Sequence, residues 1–215
     1  TGVQTCALPI LQRVRGRLRR AERNYERALK IREATFGADH PLVATTLREV
    51  ASLHAARQSY DRAEELYRRA LEIADAAPGP EYPQLPIVLT ELANLYWHMG
   101  RYADAEPLYQ RALAIREKAL GSDHPRLAVV YYNLAGLAAL QGDRDGALEL
   151  LRGALDRGFA NEVIEDDADF AALRGDPEFD AILVEVEKRL DRWISEWPDW
   201  PQQTRQELRA ENIAR

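Results

Sequence analysis

The chain is 215 residues long, 46% hydrophobic and 30% charged, with a formal net charge of -6. That is enough for one sizeable domain or a short repeat array, and the negative balance excludes any general attraction to nucleic acid. A single cysteine, Cys6, rules out an intrachain disulfide and fits a reducing, cytoplasmic compartment, while no apolar run approaches the ~18 residues of a membrane span.

Residues 1–10, TGVQTCALPI, stand outside the repeat pattern of the residues after them. In a register of 42 residues, Pro9 falls where later copies place Ala51, Ala93 and Ala135 in mid-helix. Proline there costs about 3 kcal/mol. The decapeptide also resembles translated sequencing-adapter sequence, so it is read as foreign, with the native chain cut inside a repeat. The register resumes at Leu11, because Leu11, Gly16 and Leu18 match Leu95, Gly100 and Tyr102. Residues 17–33 then form the second helix of the cut repeat, ended by Gly37. Asp39 is expected to cap the next helix, with Pro41 in its first turn.

Three helix pairs come next. Residues 42–57 and 60–76 form the first, 85–99 and 102–120 the second, 127–140 and 143–157 the third. The proline-rich stretch PGPEYPQLP at 78–86 lies where the register wants a turn, so it is a modified loop and not a domain boundary. In the second pair, Tyr102, Ala105, Leu108, Tyr109, Ala112, Leu113 and Ile115 recur at the three-and-four spacing of one helix face. The same frame stands 42 residues earlier, at Tyr60, Ala63, Leu66, Tyr67, Ala70, Leu71 and Ile73. Gly37, Asp39, His40 and Pro41 likewise precede Gly121, Asp123, His124 and Pro125 by two periods. A fixed period over this span means a stacked helical array. Small residues at Ala93, Ala105 and Ala112, repeated at Ala135, Ala147 and Ala154, let antiparallel helices approach, and Leu95, Leu108 and Tyr109 fill the spaces between pairs. Arg144 and Leu151 depart from the frame at the Tyr102 and Tyr109 positions, which loosens the expected packing of the third pair.

The pattern Leu92-Ala93, Leu95-Tyr96, Gly100, Tyr102, Ala105, Tyr109 and Ala112 resembles the tetratricopeptide repeat, and the 42-residue period with its GSDHP turn resembles the kinesin light chain-like subgroup, widespread in bacteria. The resemblance covers residues 11–158. It implies an all-α, right-handed superhelix (α-solenoid) of antiparallel helix pairs.

After Gly158 the period fails. Residues 169–173 read as a short helix, and Asp176 caps a long one from Pro177. Its stripe of Phe179, Ile182, Leu183, Val186, Leu190, Trp193, Ile194 and Trp197, backed by a charged face, suits the capping helix that an array needs at its open end. The segment from Asp156-Arg157-Gly158-Phe159 to Gly175-Asp176-Pro177 is similar to a tail of bacterial repeat arrays, many of them at the C-terminal end of serine/threonine protein kinases. Residues 159–197 are thus a C-terminal cap and 198–215 a polar tail. Trp193, Trp197 and Trp200 either dock on the last repeat or form an exposed patch that recruits a partner.

No catalytic constellation is present. Phosphate-cradling glycine loops, Gly-x-Ser-x-Gly, His-Glu-x-x-His and the kinase motifs are all missing from the sequence, so no enzyme, cofactor or metal site is expected. His40 and His124 belong to the repeated turn, and His54 and His98 lack a second ligand at helical spacing. The acidic run Glu165, Asp166, Asp167 and Asp169 lacks the glycine and the final glutamate of a calcium loop, and reads as a solvated cap. Charge is uneven, +6 over residues 1–36 and -8 over 160–196, which fits solvated helix faces.

By the resemblance, first-type helices line a concave groove that holds a protein or peptide. Carried over by position, the groove takes in Arg48, Ser52, Thr90, Asn94, Trp97, His98, Tyr132 and Asn133. Asn94 would hold a peptide backbone, while Trp97 and Tyr132 would supply apolar contact. Arg48 and Ser52 stand where one lysine and asparagine pair of a carboxylate clamp would be, but the other lysine is missing. The expected function is a non-catalytic scaffold without nucleic-acid or membrane partners. The alternative is a regulatory arm of a multidomain signalling protein such as a serine/threonine kinase. The cut at the N-terminus would uncover Tyr25, Leu29 and Ile31, so self-association through that end is also expected.

Overall fold

A computed structural model of the chain describes residues 3–77, 84–161 and 163–195, with side chains over 20–192 of these. The described residues form helices, joined by short turns, without a strand. The chain divides into two compact units, Thr1–Leu108 and Tyr109–Arg215.

In the first unit, α1 (Val3–Phe36) is followed by α2 (Pro41–Ala56), α3 (Tyr60–Ala76), α4 (Leu85–His98) and the opening turns of α5 (Tyr102–Leu120). The amphipathic stripes read from the sequence are the buried faces. α2 buries Val43, Ala44, Leu47, Val50 and Ala51 against α3, which returns Ala63, Leu66, Tyr67, Ala70 and Ile73. α4 buries Val88, Leu89, Leu92, Ala93, Leu95 and Tyr96, and packs on α3. Ala51, Ala63, Ala70 and Ala93 have no exposed surface, so each marks a close approach of backbones. Each wholly buried leucine contributes about 1.5–3 kcal/mol relative to exposure.

Two features of this unit correct the sequence reading. The first concerns α1, which runs unbroken from Val3 to Phe36, through Pro9 and past Gly16, where a turn between paired helices was expected. A glycine in mid-helix costs about 1 kcal/mol. A turn would forfeit several backbone bonds worth about 0.5–1.5 kcal/mol each, so the helix continues. The second concerns the cap of α2, which is His40 and not Asp39. His40 Nδ1 accepts from the Leu42 N–H at 3.2 Å, and His124 Nδ1 accepts from the Arg126 N–H at 3.1 Å two periods later. The reason lies in the following prolines. A residue before proline is driven to extended backbone, which is what a cap needs, and His40 and His124 lie at φ, ψ of -76°, 141° and -69°, 131°.

In the second unit, a 3-10 turn (Pro125–Leu127) leads into α6 (Ala128–Leu140), which pairs with α7 (Arg144–Asp156). Ala135, Ala147 and Ala154 are fully buried. The period then gives way to a short α8 (Val163–Asp166), a 3-10 helix (Ala168–Leu173) and α9 (Pro177–Ser195). α9 lays Phe179, Ile182, Val186 and Leu190 into a core with Leu148, Leu151 and Leu155 of α7, Ile164, Phe170 and Leu173. Asp176 caps it as the sequence indicated, its Oδ1 accepting from the N–H groups of Glu178 and Phe179 at 2.9 and 3.4 Å. Arg144, the departure from the repeat frame, serves this junction. Its Nε and Nη2 donate to the two carboxylate oxygens of Asp176 at 2.6 and 3.0 Å, and Nη2 also to Glu178 at 3.0 Å. A tyrosine there would have no such use, because the next element is a cap and not another repeat. The side chain of Trp193, and Trp197, Trp200 and residues 198–215 altogether, lie outside the described residues.

Candidate binding face

The sequence-predicted residues fall on three helices at matching register: Arg48 and Ser52 on α2, Thr90, Asn94, Trp97 and His98 on α4, Tyr132 and Asn133 on α6. Their chemical situations differ.

Arg48 and Ser52 are held within the first unit. Arg48 Nη1 donates to Glu91 Oε1 of α4 at 2.7 Å, and its Nη2 pairs with Glu49. Ser52 Oγ donates to Glu91 Oε2 at 3.0 Å and lies 2.9 Å from Tyr67 Oη. Burial pulls the Arg48 guanidinium down, but Glu91 and Glu49 outweigh it and hold the group above its ordinary value. Burial likewise pushes the Tyr67 phenol up. Arg48 Nε is buried without a hydrogen-bond partner among the described residues. The guanidinium is thus already engaged by two carboxylates, a poor receptor for a third. Glu91 was not singled out in the sequence. The signal was there, since Glu49 and Glu91 share one register position, but a pair 43 residues apart needs the fold to bring it together.

On α4, Thr90 Oγ1 donates to the Pro86 carbonyl of its own helix at 2.7 Å. Asn94 and Trp97 are half-buried and His98 is exposed. Trp97 and His98 meet edge to face, with ring centroids 4.7 Å apart at 76°. This is the part of the face that offers aromatic area and an imidazole to solvent.

On α6, Tyr132 stacks on Phe159 at 4.5 Å and meets Phe170 edge-on at 5.5 Å. Its hydroxyl donates to Asp167, and burial together with that carboxylate pushes the phenol up. Asp167 also caps the 3-10 helix, its Oδ1 accepting from the Asp169 N–H at 3.0 Å. Asn133 is half-buried. The cover supplied by Phe159 and Phe170 was not foreseen. Its sequence signal was the appearance of aromatics among acidic residues just where the period stops.

Among the described residues, no group of three His, Cys, Asp or Glu is placed to hold a metal ion. No described helix is long and apolar enough to cross a membrane.

Comparison with known proteins places the fold. A family model described as tetratricopeptide repeat matches three overlapping stretches, residues 10–76, 44–117 and 84–157. Among solved structures, BtubC (BKLC) from P. vanneervenii is similar over 92% of this chain and 81% of that one, at 22% identity and a TM-score of 0.72. A Podosopora anserina protein with nearly identical TPR-like repeats of the kinesin light chain kind is similar over 97% and 90%, at 22% identity and 0.61. MamA is similar over 86% and 95%, at 15% identity and 0.60. No curated protein sequence matches the chain.

Proposed function

Because this chain belongs to the tetratricopeptide repeat family, we propose that it is a non-catalytic scaffold that holds a protein or peptide partner on the faces of α2 and α4, with Trp97, Asn94 and His98 as the principal contacts. The observation that carries the reading is the half-buried Trp97 set edge-on against the exposed His98. Aromatic area that is already ordered binds at low entropic cost. Asn94 adds a side-chain amide able to donate and accept along a peptide backbone. Arg48 and Ser52, held by Glu91, keep α2 and α4 in register and take no anionic terminus.

The test is comparative capture. The full chain, its Asn94→Ala/Trp97→Ala variant and a control variant at Glu72 are immobilised, and retained proteins are quantified. Partners held by the wild type and the control should fall at least tenfold on the double variant. Equal retention on all three would remove this face from the function.

We propose in addition that the chain self-associates through α1, where Ile31 and Phe36 are about half exposed, at 55% and 49%. A monomer mass by light scattering at high micromolar concentration would end that reading.

A further inference from the structure

α6 differs from α2 and α4 in how it is buried. Along α2 and α4 the buried positions keep to one face. Along α6 every residue from Leu134 to Ala139 is buried, so this second half of the helix is enclosed on all sides, while Val129 in its first turn is exposed. The cover at two register positions of the candidate face, Tyr132 and Gly136, is the chain's own residues 159–161 and 163–173, in four contacts. Tyr132 is stacked by Phe159 and met edge-on by Phe170. Its hydroxyl is taken by Asp167. At Gly136, one period after Asn94, Asp169 comes so near that an added Cβ would lie 2.9 Å from its Oδ2. Glycine therefore stands where the close approach of Asp169 requires it.

We propose that residues 159–161 and 163–173 form a fixed wall that closes the second half of the α6 face to any partner. This rests on the scaffold reading above, and it removes Tyr132 from the partner's reach. The segment is a wall and not a displaceable plug because lifting it would break the core. Ile164 and Phe170 have no exposed surface, and Phe170 lies 5.9 Å from Phe179 of α9, so the cover and the capping helix share one apolar cluster. Asp167 holds the segment twice over, by the Tyr132 hydroxyl and by the cap of the 3-10 helix.

The test needs no partner. In the full chain with Cys6→Ser, single cysteines are introduced at Ala55→Cys, Trp97→Cys and Ala139→Cys, three positions one period apart. Labelling by fluorescein maleimide is then monitored in native buffer. The first two should react at nearly the rate of a free thiol. The third should react about a hundredfold more slowly, since it waits for local opening. Adding Gly136→Ala, which presses on Asp169, should raise the third rate toward the others. A cysteine at 139 that labels within about threefold of the one at 97 overturns the proposal. So does a rate indifferent to Gly136→Ala. If the Ala139→Cys chain does not fold, nitration of the unaltered chain by tetranitromethane decides. Tyr132 should lag Tyr60 in the wild type and catch up in a Phe159→Ala/Asp167→Asn chain, and equal rates in the wild type overturn the wall. Capture through Trp97 is independent of these outcomes, so the scaffold reading fails or stands by its own experiment.

Discussion

Gln58 holds the left-handed conformation, with φ of 59°, at the turn between α2 and α3. One and two periods later the same position is Gly100 and Gly142, with φ of 71° and 81°. A side chain there costs about 1–2 kcal/mol, against which glycine's greater freedom in the unfolded chain is a partial offset. Gln58→Gly should therefore raise stability by about 0.5–1 kcal/mol in urea denaturation, with an unchanged m-value. His40 works at the same scale. His40→Ala should cost about 1 kcal/mol through loss of the bond to the Leu42 N–H, and His40→Asn should recover most of it. Neither effect was legible beforehand. Gln58 was not singled out in the sequence, and Asp39 drew the cap because aspartate is the commoner one.

Among the elements, α9 is tied to its neighbours by ion pairs that respond to pH. Arg144 holds the Asp176 carboxyl below its ordinary range, Arg152 and Arg144 do the same for Glu178, and Arg189 for Glu185. Carboxyls depressed in the folded state contribute stability that is fully present above their unfolded values, about 4, and lost as pH falls through the folded ones. Protection of α9 amides from exchange, relative to the intrinsic rate at each pH, should accordingly be high at neutral pH and fall below about pH 4. Arg144→Ala should flatten that dependence while leaving the apolar stripe in place. The stripe itself was legible: Phe179, Ile182, Val186 and Leu190 recur at helical spacing and all four are buried. The role of Arg144 was not, since in the repeat frame it appeared only as a missing tyrosine.

For the molecule as a whole, the second unit hangs on the cluster around Phe170. Phe170→Ala should cost about 3–5 kcal/mol, read from the hydrogen exchange of α6, α7 and α9, because cavities left in a packed core relax only in part. The sequence by itself determined the period, the helix pairs and the alanines at their crossings. Those arise from local periodicity, and one face of each helix must find an apolar partner wherever the chain goes. It did not determine that α1 continues through Gly16, because the alternatives there differ by only a few backbone bonds. Nor did it determine which parts of the candidate face stay open. Arg48 meets Glu91 and Tyr132 meets Phe159, Asp167 and Phe170 across separations of 27 to 43 residues. At those separations only the tertiary structure decides whether a side chain faces solvent or its own chain, since exposure belongs to the packed neighbours and not to the residue.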